Sequence, residues 1–160
     1  MSTFKRAGLS IIVVLAAATA GLTGLAKTQE ERGERLLNQA CTRCHELRRI
    51  QVQALDRDAW TAKVNAMIEK GATVGNDDVP VLIDYLVRQH GPVPDGPGKE
   101  ILLNTCTLCH DLKRVKEHGG TRQQWGETLQ AMLNEGAPLS DEELPVILEY
   151  LVQNFRTPRL

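Results

Sequence analysis

The sequence predicts an all-α chain built as two tandem helical units. Three observations carry that expectation. The chain repeats itself at a fixed offset of 65 residues, its apolar residues recur at helical spacing, and all four cysteines fall in two copies of one pentapeptide. No stretch shows the alternating pattern of a strand bounded by turn residues.

The repeat runs without a gap from the first cysteine onward. Cys41 answers to Cys106, Leu47 to Leu112, Arg49 to Arg114, Arg57 to Arg122 and Trp60 to Trp125. It continues through Met67 and Met132, Gly71 and Gly136, Pro80 and Pro145, Tyr85 and Tyr150. Upstream, Leu36-Leu37-Asn38 and Leu102-Leu103-Asn104 agree only after a slip of one residue. Between the copies, the prolines and glycines of Gly91-Pro92-Val93-Pro94-Asp95-Gly96-Pro97-Gly98 read as a linker. The organisation is therefore a leader over 1–26, a first unit over 27–94 and a second over 95–160.

The leader has its own composition. Lys5 and Arg6 precede an acid-free, largely apolar run from Ala7 to Ala26, and Gly24-Leu25-Ala26 suits a small-residue cleavage site. An alternative cut follows Ala18-Thr19-Ala20. That layout is a secretory signal peptide. Left uncleaved, the run is about long enough to span a bilayer and would tether the units to the inner membrane. Either way the units are expected outside the cytoplasm, in the periplasm.

Within each unit the helices follow in order. Residues 30–40 read as a short helix entering the first cysteine motif. Residues 58–70 form an amphipathic helix: Trp60, Val64, Met67 and Ile68 stand at i, i+4, i+7 and i+8, and Gly71 ends it. Trp125, Leu129, Met132 and Leu133 repeat the stripe, ended by Gly136. A third helix is expected over about 77–89, capped by Asn76 or Asp77 with acids in its first turn, and its partner over about 141–153. Pro80 and Pro145 fit its first turn best with the later cap.

The pentapeptides are Cys41-Thr42-Arg43-Cys44-His45 and Cys106-Thr107-Leu108-Cys109-His110. C-x-x-C-H is the attachment motif of c-type haem. Two thiols three positions apart reach the two vinyl groups of one porphyrin, and the adjacent imidazole becomes the proximal iron ligand. Two copies with no cysteine left over predict two covalently bound haems c. The histidines and the repeat argue against a disulfide framework, and the absence of a βαβ pattern argues against a thioredoxin-like or zinc reading.

The sixth iron ligand decides between electron transfer and ligand chemistry. Beyond Met1 the chain has two methionines, Met67 and Met132, each 22 positions after its haem histidine. Strict pairing beside a paired tryptophan makes them the expected axial ligands, against the plainer role of core filler. His90 and His118 have no counterpart in the other copy and are expected to be exposed surface histidines. Arg49 and Arg114 are either partners of haem propionates or part of a solvated polar face. Tyr85 and Tyr150 are expected in the core, with the hydroxyl reaching a partner.

Composition closes off other classes. Without the leader the chain holds 17 basic and 20 acidic residues, a charge of −3, with no basic stripe for nucleic acid. Aromatics are only 4% of the chain, and a unit of about 65 residues buries a marginal core. A rigid apolar porphyrin would supply what is missing, so the haem-free chain is expected to fold poorly.

The run of C-x-x-C-H, arginine four residues on, Trp-x(3)-hydrophobic-x(2)-Met-x(3)-Gly-Ala and a final Tyr-Leu helix resembles a known group. It is similar to the di-haem domain of the quinohaemoprotein amine dehydrogenase alpha subunit and, more broadly, to class I cytochromes c. The residues are Cys41, Cys44, His45, Arg49, Trp60, Val64, Met67, Gly71, Ala72, Tyr85 and Leu86, with the second copy from Cys106 to Leu151. The resemblance implies two tandem cytochrome c-like domains, each wrapped around one covalent haem, with axial methionines and an electron-relay role. One haem of that group has two histidine ligands, whereas both copies here offer methionine. The group's β domains and its small catalytic subunit have no counterpart, so amine oxidation is not implied.

The expected function is a periplasmic di-haem cytochrome c, an electron carrier rather than an enzyme. Its expected partners are redox proteins: a dehydrogenase as donor, a terminal oxidase or another cytochrome as acceptor. The alternatives are a haem-bearing subunit of a larger complex, or a di-haem enzyme of the peroxidase kind with one open iron site. No unpaired His/Arg/Glu cluster in the sequence supports the enzyme.

Overall fold

The computed structural model describes residues 27–156, and the expected leader lies outside them. Those residues are all-α: no strand occurs among them. Helix α1 covers 27–41. It is followed by α2 (Arg48–Gln51), α3 (Arg57–Glu69), α4 (Val79–His90), α5 (Lys99–Asn104), a 3-10 turn (Cys106–Leu108), α6 (Lys113–His118), α7 (Arg122–Asn134) and α8 (Glu143–Asn154). No described helix is long and apolar enough to cross a membrane.

Two hydrophobic clusters form, one per repeat. The first gathers Leu37, Ile50, Trp60, Val64, Leu82 and Leu86. The second gathers Leu102, Val115, Trp125, Leu129, Ile147 and Leu151 at the matching positions. Each centres on an antiparallel pair, α3 on α4 and α7 on α8, whose amphipathic stripes bury their apolar residues against each other.

The same devices hold both pairs. The Trp60 indole donates to the His90 carbonyl at 3.0 Å and the Trp125 indole to the Phe155 carbonyl at 2.9 Å. The Leu55 and Gly120 amides donate to those same two carbonyls. Arg57 pairs with Asp84 at 2.5 Å, and Arg122 pairs with Glu149. The recurrence of Arg57 and Arg122 is thus explained by a helix-to-helix ion pair. Asp56 and Thr121 cap α3 and α7, the latter in a full capping box with Gln124.

Gly71 and Gly136 end these helices one position past the cap. Both are left-handed, at φ 101° and 94°. Their amides donate to Ile68 and Leu133, while the Ala72 and Ala137 amides donate to Met67 and Met132. That double closure is the Schellman motif.

Three expectations are corrected. The third helix is capped by Asp78, not Asn76 or Asp77, and makes no side-chain cap bond. Asp78 instead accepts from Arg32 at 2.5 Å, tying α1 to the start of α4, so no acid remains in the first turn. The upstream slip disappears as well. Leu37 and Leu102 are both in the core, and the Thr42 and Thr107 hydroxyls donate to the Asn38 and Leu103 carbonyls. Gly33 and Gly98 both lie against the paired tyrosines, where an added Cβ would come within 2.3 Å of Tyr85 Cβ and 2.6 Å of Tyr150 Cβ. The offset of 65 therefore holds back to Gly33.

The segment between the units is not loose. Val93 is buried in the second cluster, the Tyr150 hydroxyl donates to Pro94 at 2.6 Å, and Lys116 donates to the Gly91 carbonyl at 3.0 Å. His90 is the third correction: it is half-buried, edge-on to Trp60 with ring centroids 6.4 Å apart. Burial and the nearby Lys116 ammonium push its pKa down, opposed by Asp111. His118 is exposed, as expected, and meets Trp125 edge-on at 4.9 Å.

Candidate haem-attachment sites

In the first unit the sequence-predicted residues come together around one cavity of about 630 Å³. The end of α1 supplies Cys41, the following turn Cys44 and His45, and α3 supplies Met67. Trp60, Val64, Leu82 and Leu86 make its inner wall. The volume falls within the roughly 300–1,000 Å³ of small-molecule and cofactor sites, and the wall is mainly apolar with a few polar groups. Arg49 lies at the same cavity, joined by Lys63 and Lys70, two cations that sequence reasoning did not single out.

The histidines are held alike in both copies. His45 Nδ1 lies 3.3 Å from the Glu46 carbonyl, and His110 Nδ1 lies 2.9 Å from the Asp111 carbonyl. A carbonyl only accepts, so Nδ1 is the donor in both, and in a neutral ring the lone pair is then on Nε2. This fixes the tautomer that a metal-binding imidazole needs.

The thiols are unpaired, with no disulfide among them. Cys44 and Cys109 are exposed, whereas Cys41 and Cys106 are half-buried. Burial raises the Cys41 thiol pKa and pushes that of Cys106 up to about 11. Cys106 packs against the second hydrophobic cluster, and Met132, like Met67, is half-buried in the last turn of its helix. The Schellman closure binds the carbonyls of both methionines and so fixes the backbone that carries them.

The donor set suits one chemistry. Two thiols, a neutral imidazole and a thioether opening on an apolar cavity fit a haem held by two thioether links with histidine and methionine at the iron. They do not fit structural zinc, which needs four converging nitrogen or sulfur donors of the cysteine and histidine kind. Among the described residues no three His, Cys, Asp or Glu side chains converge.

One contact joins the two sites. Arg48, three residues after His45, donates to the carbonyls of Thr107 (2.7 Å), Leu108 and Cys109 (3.3 Å). A cation of the first unit therefore holds the second cysteine motif. Its counterpart Lys113 makes no such reach and lies 3.7 Å from Glu117. Only the residue type, a cation in both copies, was visible in the sequence.

Comparison of the chain with protein-family models, with curated proteins and with solved structures finds no match.

Proposed function

We propose that the exported chain is a di-haem c-type cytochrome of the tandem class I kind, carrying single electrons between redox proteins. The observation that carries this reading is the cavity on which Cys41, Cys44, His45 and Met67 all open. The matching set Cys106, Cys109, His110 and Met132 stands 65 residues on.

The bound haem supplies a one-electron iron couple; the polypeptide supplies ligation, shielding and placement. Cys41, Cys44, Cys106 and Cys109 would hold the two haems, each thiol adding its S–H across one vinyl group with no leaving group. His45 and His110 present Nε2, oriented by the Nδ1 bonds to Glu46 and Asp111. Met67 and Met132 would supply the second iron ligand of each haem, which would keep small ligands away from the metal. With both positions filled and no carboxylate lining the first cavity, electron transfer is the chemistry such a haem would support. A dehydrogenase is the fitting class of donor, and a terminal oxidase or second cytochrome the fitting acceptor. The periplasm is the compartment in which attachment and partners meet.

An optical spectrum of the oxidised protein tests this. The weak far-red charge-transfer band of methionine-ligated ferric haem is expected, at an intensity that matches two haems per chain. Rapid binding of a full equivalent of carbon monoxide by the reduced protein at neutral pH would instead support the enzyme reading.

A further inference from the structure

The repeat places corresponding residues at the two sites, and their charges differ sharply. Three cations, Arg49, Lys63 and Lys70, lie at the first cavity, and no acidic residue lines it. None of the three forms an ion pair with another described residue. Their counterparts are Arg114, Thr128 and Glu135, and the cavity-lining Val52 is matched by Glu117. Counted over these four positions, the first site carries +3 and the second −1. Lys70 and Glu135 are the cap residues of α3 and α7, so the fold gives them the same place. The units as wholes lean the same way. Residues 27–94 hold ten basic and ten acidic side chains, whereas 95–160 hold seven and ten.

We propose that the first site is the electron sink of the pair, held at the higher reduction potential by Arg49, Lys63 and Lys70. This rests on the di-haem reading above. Reduction adds one negative charge to a site, which nearby cations favour and nearby acids oppose. The axial sets are the same in both units, so ligand identity does not separate them. The carboxylates of a haem would be neutralised by the cations of the first cavity, whereas Glu135 and Glu117 stand at the matching positions of the second unit. Two contacts work against the difference without cancelling it. Arg48 brings one cation to the second attachment loop, and Lys113 stands beside Glu117. An electron entering at the second site therefore settles on the first.

The test exchanges the distinguishing residues in the full chain, where all four are exposed or half-buried and none lies in a core cluster. Spectroelectrochemical titration of the wild type at low salt should resolve two midpoints. The Lys63→Thr/Lys70→Glu variant should lower the upper midpoint and leave the lower one in place. Thr128→Lys/Glu135→Lys should raise the lower midpoint. Each pair should shift electron sharing between the sites by about tenfold, three units of charge acting at the strength of exposed pairs. Raising the salt to about 1 M should shrink the gap. An upper midpoint that ignores the first pair, or answers only to the second, overturns the assignment. A pigment count of two haems per variant keeps that failure apart from failure of the haem reading.

Discussion

The two units share the indole bond and the ion pair that fix α3 on α4 and α7 on α8, and differ in what leads into them and in the charges around each site. The indole-to-carbonyl bonds, the Arg57 and Arg122 ion pairs, and the Schellman glycines recur at the same offset. The leading helices do not. Helix α1 spans 27–41 and is docked on α4 by Arg32 to Asp78 and by Glu30 to Arg88. Helix α5 has only six residues, because Pro92, Pro94 and Pro97 with the left-handed Gly96 and Gly98 prevent an earlier start. A duplicated chain keeps the contacts that build the frame and varies the residues that set each site's charge. That division separates scaffold from function here without any relative to compare.

If the frame is shared, equivalent substitutions must cost alike in both units. Trp60→Ala and Trp125→Ala each empty the largest buried side chain of their cluster, at 1% and 2% exposure, and remove an indole bond. Each should cost about 3–5 kcal/mol in urea unfolding of the haem-loaded protein. Unequal losses would show that the units do not share one frame. Gly33→Ala and Gly98→Ala probe the corrected register. Both push a methyl into a tyrosine, and Gly98 also sits at φ +100°, so each should cost about 1–3 kcal/mol, with Gly98 the worse.

The units should differ in their response to acid. His90 is matched by Phe155, and its folded-state pKa lies below the usual 6.5. The unfolded chain therefore takes up the proton first, and stability is lost as pH falls below about 6.5 toward the folded value. His90→Phe should flatten that part of the stability-against-pH curve, read by thermal melts between pH 5 and 7. An unchanged slope would mean that another group titrates there. The smallest effect belongs to Arg57→Ala and Arg122→Ala, exposed ion pairs whose loss should cost under about 1 kcal/mol each.

Much of the frame is legible in the sequence, for a physical reason. The Trp60 stripe and Gly71 are local signals, periodicity and a left-handed stop, and the duplication shows each of them twice. What escapes is tertiary. Asp78 was missed as the cap because its carboxylate answers to Arg32 on a distant helix rather than to its own amides. The three-proline segment reads as a linker, yet Val93 is buried in the second core and Pro94 accepts from Tyr150. His90 reads as a surface residue at a helix end, and only the packing of the linker and Lys116 covers it. The cavity residues Cys41, His45 and Met67 were legible through motif and pairing, while Lys63 and Lys70 looked like any solvated helix face. Arg48 had no local feature to reveal a reach across to Thr107, Leu108 and Cys109.

The intact mass of exported protein after extraction with acidic acetone tests the haem assignment most directly. Four thioether bonds should hold the pigment through that treatment, leaving a coloured chain heavier than its polypeptide by two haems. A colourless chain at the polypeptide mass, with all four thiols open to alkylation, would contradict the account.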